Sequence, residues 1–342
     1  MQEGDRTLSV NSRALQSDAV NWAARYLTPR NIGRYLGPAA MEAAVEIVWS
    51  RQRRTGDLAA AVSDHFVRRN ATVIDVGASW GLFTYHLARR VGEGGRVYSY
   101  EPHPANALVL QKLAAARPYV HFRPVAVSDL SGRAELLVPK RHNRLVTAQS
   151  SLAHRFEGIE VESIAVPTVR LDDEIGESSQ VDFIKIDVEG HEMSVLRGGI
   201  SIFRRCRPPV LIEIEQRHLA VPIRDVLQEL QELGYYLFYI GGSVLRPIAD
   251  FDVHRDQLSK VTAGKFYPFS MPKDYVCNFC AVRTPDLLQG LPVALPTEMR
   301  RRRSLQTQSV VLECRHTVFI DACRAASHGP LACLPCEVSL EA

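Results

Sequence analysis

The sequence predicts an α/β fold in which helices cover both faces of a mainly parallel sheet. From residue 72 to residue 282, short runs rich in Val and Ile alternate with longer amphipathic segments, and this alternation is typical of a doubly wound sheet. Two of the apolar runs lead into turns that contain glycine: the run at 73–75 ends in Asp75 and is followed by glycines, and the run at 183–186 is followed by acidic residues and a glycine. Because open α/β sheets bind ligands at the carboxyl ends of their strands, these turns mark the expected functional site.

The individual elements follow from the spacing of apolar residues and from the residues that end each run. Runs of β-branched residues predict strands, and apolar residues three and four positions apart predict helices. The predicted strands are 73–75, 96–100, 120–127, 135–138, 162–169, 183–186, 208–215, 235–240 and 274–282, and the predicted helices are 82–91, 104–116, 171–175, 192–203 and 221–233. Residues 140–156 are polar and basic, which favours a long loop or flap.

The turn after the first strand has the spacing of a cofactor loop. It reads Asp75-x-Gly77-x-Ser79-x-Gly81, whereas a dinucleotide site needs G-x-G-x-x-G. The spacing matches the D/E-x-G-x-G-x-G loop of methyltransferases that use S-adenosylmethionine, with Ser79 in place of the middle glycine. The predicted cofactor-binding loop residues are therefore Asp75, Gly77, Ala78, Ser79 and Gly81. A plain strand-to-helix turn is the alternative.

Other parts of the same cofactor site are expected at the ends of the next strands. Glu101 follows the strand at 96–100 and is well placed to accept hydrogen bonds from both hydroxyls of a ribose. Ser128 and Asp129 either contact the adenine edge or only form a turn. A side chain at Gly77 is expected to fill the space of the methionine moiety and to leave the fold nearly intact.

The second landmark, residues 180–190, supplies the candidate catalytic groups. Asp187, Glu189 and His191 follow a buried strand, and Glu213 lies near the end of the next one. A hydroxyl attacks poorly while it keeps its proton, so each of these groups is a candidate base. His191 is equally explained as a residue at a helix start. A divalent cation held by Asp187, Glu189 and Glu213 is an alternative, although no metal is expected.

These motifs together resemble the FkbM family of methyltransferases. The resemblance rests on the glycine loop, Glu101-Pro102, Leu171-Asp-Asp173, the run at 182–190, the run at 195–198 and Pro209 with Glu213, and it covers roughly residues 65–285. It implies a class I methyltransferase (Rossmann-like) fold with a seven-stranded sheet. It also implies O-methylation of a hydroxyl on a sugar, glycolipid or natural product. Ser79 is a departure, since the family often has Asn there.

Three regions are expected along the chain. Residues 1–65 show helical spacing and no strand signal, so they are expected to form a helical N-terminal extension. A lid over the acceptor site or a contact with acidic lipid is the alternative for this region. Residues 66–285 form the methyltransferase domain. Residues 286–342, with several prolines and a basic run at 300–303, are expected to form a disordered basic tail.

Composition narrows the class of partner. A formal net charge of +3 over 342 residues is too small to argue for nucleic acid. No apolar run approaches the length of a membrane span, and seven cysteines without a secretion signal favour the cytoplasm. Cys277 and Cys280 are expected to pack in the core, with a zinc site shared with Cys333 and Cys336 as the alternative. The expected partner is a small-molecule or glycan acceptor, and the oligomeric state is left open.

Two functions outside methyl transfer are kept as alternatives. One is a catalytically silent cofactor-binding module that acts as a partner subunit. The other is a nicotinamide oxidoreductase, which the glycine spacing disfavours.

Overall fold

The computed structural model describes residues 45–50, 57–141, 144–153, 158–261, 272 and 274–294. Most of the predicted extension at 1–65 and of the predicted tail at 286–342 lies outside these residues. The same holds for Cys333 and Cys336.

The centre of the fold is an eight-stranded sheet in the order β11-β10-β12-β9-β8-β1-β2-β3. Strands β1, β2, β3, β8 and β9 are parallel, whereas β10, β11 and β12 join through antiparallel pairs. The strands of this sheet are β1 Thr72–Val76, β2 Arg96–Tyr100, β3 Val120–Arg123, β8 Phe183–Ile186, β9 Val210–Glu213, β10 Tyr236–Gly241, β11 Val244–Pro247 and β12 Asn278–Val282. The predicted α/β class is confirmed.

One strand more is present than the seven that the resemblance implied. Strand β11 pairs with β10 as a hairpin in which Gly241 lies opposite Val244. The turn between them contains Gly242 at φ +66°, and such two-residue turns with a left-handed glycine join antiparallel strands tightly. The sequence prediction ended the element at 240 and missed this signal.

Helices pack on both faces of the sheet because successive strand side chains point to opposite faces. Val73 and Phe183 belong to the core under α1, α2 and α3, whereas Ile74, Ile184 and Ile186 belong to the core under α5, α6 and α7. The helices are α1 Leu58–Phe66, α2 Leu82–Val91, α3 Pro104–Ala116, α4 Leu171–Glu174, α5 Glu192–Gly198, α6 Ile200–Cys206, α7 Ile223–Glu232 and α8 Val253–Asp256.

A second sheet, in the order β4-β7-β5-β6, lies in the chain between β3 and β8. Its strands are β4 Ala126–Val127, β5 Gly132–Arg141, β6 Arg144–Leu145 and β7 Val161–Val169. The strand predicted at 120–127 is therefore two strands in two sheets. Pro124 lies between them, and a proline cannot donate a backbone hydrogen bond to a sheet. The predicted flap at 140–156 also contains β6 and a 3₁₀ turn at Thr147–Gln149.

The helix predicted over 192–203 is also divided, into α5 and α6, at Gly198 and Gly199. A Cβ atom at Gly198 would lie 2.0 Å from the carbonyl oxygen of Ser128. This close approach of the chain after β4 requires glycine at this position.

The packed part of the domain extends past the predicted boundary at 285. Leu245 N–H donates to the carbonyl of Pro292, and Ala294 N–H donates to the carbonyl of Leu245. Leu288 and Ala294 are buried, so the described part of the predicted tail packs on the sheet. In the part of the chain that the structure describes, no helix is long and apolar enough to cross a membrane.

Candidate active site

The site is a cavity at the carboxyl ends of β1, β2, β4 and β8, with one wall from the second sheet. Its empty volume, which includes space open to solvent at the mouth, is about 560 Å³. The lining residues are Val76, Gly77, Ser79, Tyr100, Glu101, Pro102, Val125, Ala126, Val127, Leu136, Thr147, Ala148, Ser150, Leu152, Asp187, Val188, Glu189 and His191. Six of the twelve predicted site residues thus meet in one cavity: Gly77, Ser79, Glu101, Asp187, Glu189 and His191.

The glycine loop is held by the neighbouring strands. Gly77 N–H and Ala78 N–H both donate to the carbonyl of Tyr100, each over 3.0 Å. Gly77 and Gly81 have φ of +77° and +92°, and Ser79 has φ of +50°. Gly81 is the N-cap of α2 and supplies no side-chain cap, so the first amides of this helix are free of a capping side chain and can bind a polar ligand group.

The expectation for Gly77 needs correction. A Cβ atom at this position would lie 1.7 Å from the carbonyl oxygen of Asp187. The space beside Gly77 is therefore filled by the backbone at the end of β8, and a side chain there would disturb the fold as well as the cavity. The sequence could not show this approach, because it depends on the pairing of β1 with β8.

Asp75, Ala78 and Gly81 do not line the cavity. The Asp75 side chain is fully buried beneath the loop, where Thr84 Oγ1 donates to its Oδ2 over 2.6 Å. Asp75 also lies opposite Lys185 in the pairing of β1 with β8. Burial raises the pKa of Asp75, and the nearby Lys185 ammonium opposes that rise. The Asp75 carboxylate is thus held beneath the loop by Thr84 and does not line the cavity.

Glu101 lines the cavity although its residue is only 5% exposed. Its Oε2 accepts from Ser79 N–H over 2.8 Å, and its Oε1 accepts from His103 N–H over 2.9 Å and from Asn106 Nδ2 over 3.3 Å. Burial raises the pKa of Glu101 to about 7, against the lowering effect of these hydrogen bonds. An ionised carboxylate has about four acceptor positions, so capacity remains for a ribose hydroxyl.

Ser128 and Asp129 lie next to the cavity but do not line it. The adjoining wall is formed by residues 125–127. Ser128 Oγ donates to Asp129 Oδ1 over 3.0 Å and lies 3.0 Å from Nε2 of His191. An adenine ring in the cavity would therefore lie against residues 125–127, and Ser128 and Asp129 would lie beyond them. Burial lowers the pKa of His191, which favours its neutral form.

Lys185 is a residue of the site that the sequence prediction missed. Its Nζ lies 3.0 Å from Asp187 Oδ2 and 4.8 Å from the centre of the Phe83 ring. The nearby carboxylates of Asp187 and Asp75 raise the pKa of Lys185 despite the large opposing effect of burial. The sequence did contain a signal for it, because Lys185 is a charged residue among the apolar residues of β8.

The carboxylates beyond β8 and β9 form a buried acidic cluster with two basic partners. His218 Nδ1 lies 2.7 Å from Glu189 Oε2 and 3.8 Å from Glu215 Oε1. Burial, and then the charge of Asp187, raise the pKa values of Glu189 and Glu213 well above the ordinary range. Glu213 does not line the cavity, unlike Glu189.

Within the described residues, three side chains of this cluster are close enough to share a metal ion: Glu189, Glu215 and His218. The predicted alternative set was Asp187, Glu189 and Glu213. Ligands about 2.1 Å from one ion lie about 3.0–3.4 Å from each other, but the distances from His218 Nδ1 are 2.7 and 3.8 Å. Arg217 also binds both oxygens of Glu215, over 2.6 and 3.1 Å. The contacts fit a hydrogen-bonded chain better than a cation site.

The residues around the cavity fit S-adenosylmethionine. The cavity combines a buried carboxylate for the ribose, apolar walls at 125–127 and a carboxylate, Asp187, that favours a positive charge. A sulfonium group carries such a charge, and Gly77 and Ser79 bring bare backbone to the same cavity.

Comparison with known proteins gives both a family and structural neighbours. The model of the family described as the methyltransferase FkbM domain matches residues 75–237. No curated protein matches the chain. The solved methyltransferase FkbM from Methylobacillus flagellatus KT is 16% identical, with a TM-score of 0.40 over 62% of this chain and 44% of that one. This chain therefore spans less than half the length of that relative.

Two other solved structures are similar to the chain at a comparable level. The magnesium protoporphyrin IX methyltransferase from Synechocystis PCC 6803, solved with its bound cofactor, is 13% identical, with a TM-score of 0.37 over 81% of this chain and 100% of that one. An O-methyltransferase from Thermotoga maritima is 15% identical, with a TM-score of 0.33 over 67% and 65% of the two chains.

The family match spans the glycine loop, Glu101 and both acidic turns, and it leaves the nicotinamide alternative without support. Residues 75–237 therefore belong to the FkbM family of methyltransferases, whose cofactor is S-adenosylmethionine.

Proposed function

We propose that this methyltransferase transfers the methyl group to a hydroxyl oxygen of a sugar, glycolipid or natural product. The observation that carries the proposal is the Glu189 carboxylate, which lines the same cavity as the glycine loop and Glu101. A hydroxyl acceptor needs a base, and burial raises the pKa of Glu189 well above its ordinary value. A carboxylate with a raised pKa binds the acceptor's proton more firmly than an exposed one.

When bound, S-adenosylmethionine supplies a methyl group on a positively charged sulfur. Gly77, Ser79 and Glu101 would hold its methionine and ribose parts, and much of the rate enhancement would come from alignment of the acceptor oxygen with the methyl group. Asp187, fixed by Lys185 over 3.0 Å, places a negative charge on the cavity wall. Glu189 would take the hydroxyl proton.

The other predicted site residues would support these groups. His191 would close the cavity beside Ser128 and Asp129 and provide a second, neutral acceptor. Glu213, which does not line the cavity, raises the pKa of Cys277 by its charge, second to burial. We assign Glu213 to the electrostatics of the cluster and not to contact with the acceptor.

We also propose the cytoplasm as the place of action and residues 66–294 as the functional domain. The described cysteines Cys206, Cys277 and Cys280 are unpaired, and free thiols of this kind are usual in a reducing compartment. The domain limit includes the packed segment that contains Leu288 and Ala294.

The test is transfer of a labelled methyl group from S-adenosylmethionine into an extract of the source cells. We expect a labelled product 14 Da heavier than its precursor, with a label that resists mild alkali as a methyl ether does. Release of the label as methanol would indicate a methylated carboxylate and would refute methylation of a hydroxyl. Glu189→Gln, which keeps the shape of the side chain, is expected to lose the activity while it still binds the cofactor. Tight cofactor binding without any labelled product would favour the silent partner subunit.

A further inference from the structure

His218 lies directly behind Glu189, at the turn that follows β9. Its Nδ1 is 2.7 Å from Glu189 Oε2, and the residue is only 5% exposed. His218 is not among the residues that line the cavity, whereas Glu189 is. Any effect of His218 on a bound acceptor therefore passes through the Glu189 carboxylate.

The backbone around Glu189 holds this carboxylate against His218. Glu189 has φ of +53°, which is uncommon for a residue with a side chain and is often found at functional sites. A Cβ atom at Gly190 would lie 2.3 Å from the carbonyl oxygen of His218. The Ser151 hydroxyl donates to the carbonyl of Glu189 from the side of the second sheet. The two turns are therefore packed together, and the distance between Glu189 and His218 is set by the fold.

Burial favours a neutral imidazole at His218, which can donate a hydrogen bond. Burial lowers the pKa of His218 to about 4 despite the nearby carboxylates. Although burial opposes it, the hydrogen bonds from Arg217 lower the pKa of Glu215, so this carboxylate stays ionised and already has its partner. The charged or titratable groups that act on Glu189 or on His218 include Asp187, Glu213, Glu215, Arg217, Lys185 and Glu192.

We infer that His218 is a positioning residue for methyl transfer: its Nδ1–H donates to Glu189 Oε2, favours the ionised form of that carboxylate and fixes it toward the acceptor. The inference rests on the proposed role of Glu189 as base. An ionised acceptor gains more from a hydrogen bond than a neutral one. Loss of the donor removes stabilisation of the carboxylate form only, and the hydroxyl proton is then accepted less readily.

Three substitutions at the same position separate this role from simple packing. His218→Leu keeps much of the volume and removes the donor. His218→Asn keeps an N–H donor on the atom next to Cγ, as in Nδ1, whereas His218→Gln moves the donor one bond further out. Thermal unfolding shows which variants are folded, and calorimetry with S-adenosylmethionine shows whether the cofactor site is intact.

The activity measurement is the rate of labelled methyl transfer into the same cell extract, at saturating cofactor, from pH 5.5 to pH 9. In the Leu and Gln variants we expect the pH of half-maximal rate to rise by about one unit or more, the scale of a lost hydrogen bond to a charged group. Below that pH their rates should fall about 10-fold or more. The Asn variant should keep the wild-type midpoint, and cofactor affinity should stay within about twofold in all three.

If the Leu and Asn variants lose the same amount of transfer rate and keep the wild-type pH of half-maximal rate, His218 only packs. That result would overturn the inference. Activation of the wild type by Mn²⁺ or Zn²⁺, lost in all three variants, would overturn it in favour of a cation site. A second measurement does not need the acceptor: the ¹³C carboxyl resonance of Glu189, assigned by its absence in Glu189→Gln. Its titration midpoint should rise in the Leu and Gln variants and not in the Asn variant. If the wild type shows this titration but gives no labelled product, the proposed function is refuted. The hydrogen bond between His218 and Glu189 then remains supported.

Discussion

Glu101 allows a prediction about pH dependence, because burial favours the protonated form of its carboxyl group and a bound ribose favours the ionised form. Burial raises its pKa to about 7, whereas ribose hydroxyls donate best to the ionised form. About one tenth of the protein is in that form at pH 6 and about nine tenths at pH 8, so affinity should fall about tenfold as the pH is lowered from 8 to 6. The ligand for this titration is 5′-methylthioadenosine, which carries the ribose but no titrating amino group.

The raised pKa of Glu101 also predicts how the stability of the ligand-free protein depends on pH. Its folded pKa of about 7 lies above the ordinary value of 4.5, so its stabilising contribution is fully present below pH 4.5 and is lost as the pH rises to about 7. The loss corresponds to about 3 kcal/mol. Glu101→Gln should remove this pH-dependent part, and it should also flatten the affinity profile. Glu93→Gln, at an exposed position, is the matched control and should change neither. A wild-type dissociation constant that stays flat between pH 5.5 and pH 8 would refute the reasoning.

Three further substitutions test the loop and the cavity wall. Gly77→Ala should destabilise the protein by more than about 2 kcal/mol in thermal unfolding, because its Cβ would meet backbone 1.7 Å away and its φ is positive. Gly242→Ala has a positive φ but no atom within 4 Å, so it should cost only about 1 kcal/mol, and equal losses would contradict the clash. Thr84→Val should cost about 1–3 kcal/mol in urea unfolding, since it removes the donor to buried Asp75; a neutral result would mean that water replaces the hydroxyl. Asp187→Asn removes the negative charge from the cavity wall, so it should weaken S-adenosylmethionine binding about 10- to 100-fold in calorimetry, and wild-type affinity would remove Asp187 from the site.

The sequence predicted those features that depend on local pattern. The runs that became β1 and β8 are short and mainly apolar. Gly77 follows β1, and Asp187, Glu189 and Gly190 follow β8. The turn after each strand therefore fell at the sheet edge, and Gly77, Glu101 and Asp187 were placed in one site. All three line the cavity.

Features that depend on contacts between distant segments could not be predicted in this way. Lys185 matters because it lies opposite Asp75 in the neighbouring strand, and His218 matters because the turn after β9 packs on Gly190. The break between α5 and α6 follows from the approach of Ser128 to Gly198, more than sixty residues away in the chain. Apolar spacing carries no information on such approaches.

The second sheet has a consequence for how acceptor preference could be altered by engineering. Strands β5 and β7 form one long hairpin, and Gly132 lies opposite Thr168 at its base. The chain therefore leaves and re-enters the parallel domain at adjacent points, and the strands of the main sheet lie outside the exchanged stretch. Leu136, Thr147 and Leu152 of this hairpin line the cavity, whereas the glycine loop, Glu101 and Glu189 are outside it. The hairpin can thus be exchanged between relatives as a segment cut at 132 and 168, which changes one cavity wall. Two residues of the segment should be kept, because Ser151 donates to the carbonyl of Glu189 and Thr147 donates to Asn106, a partner of Glu101.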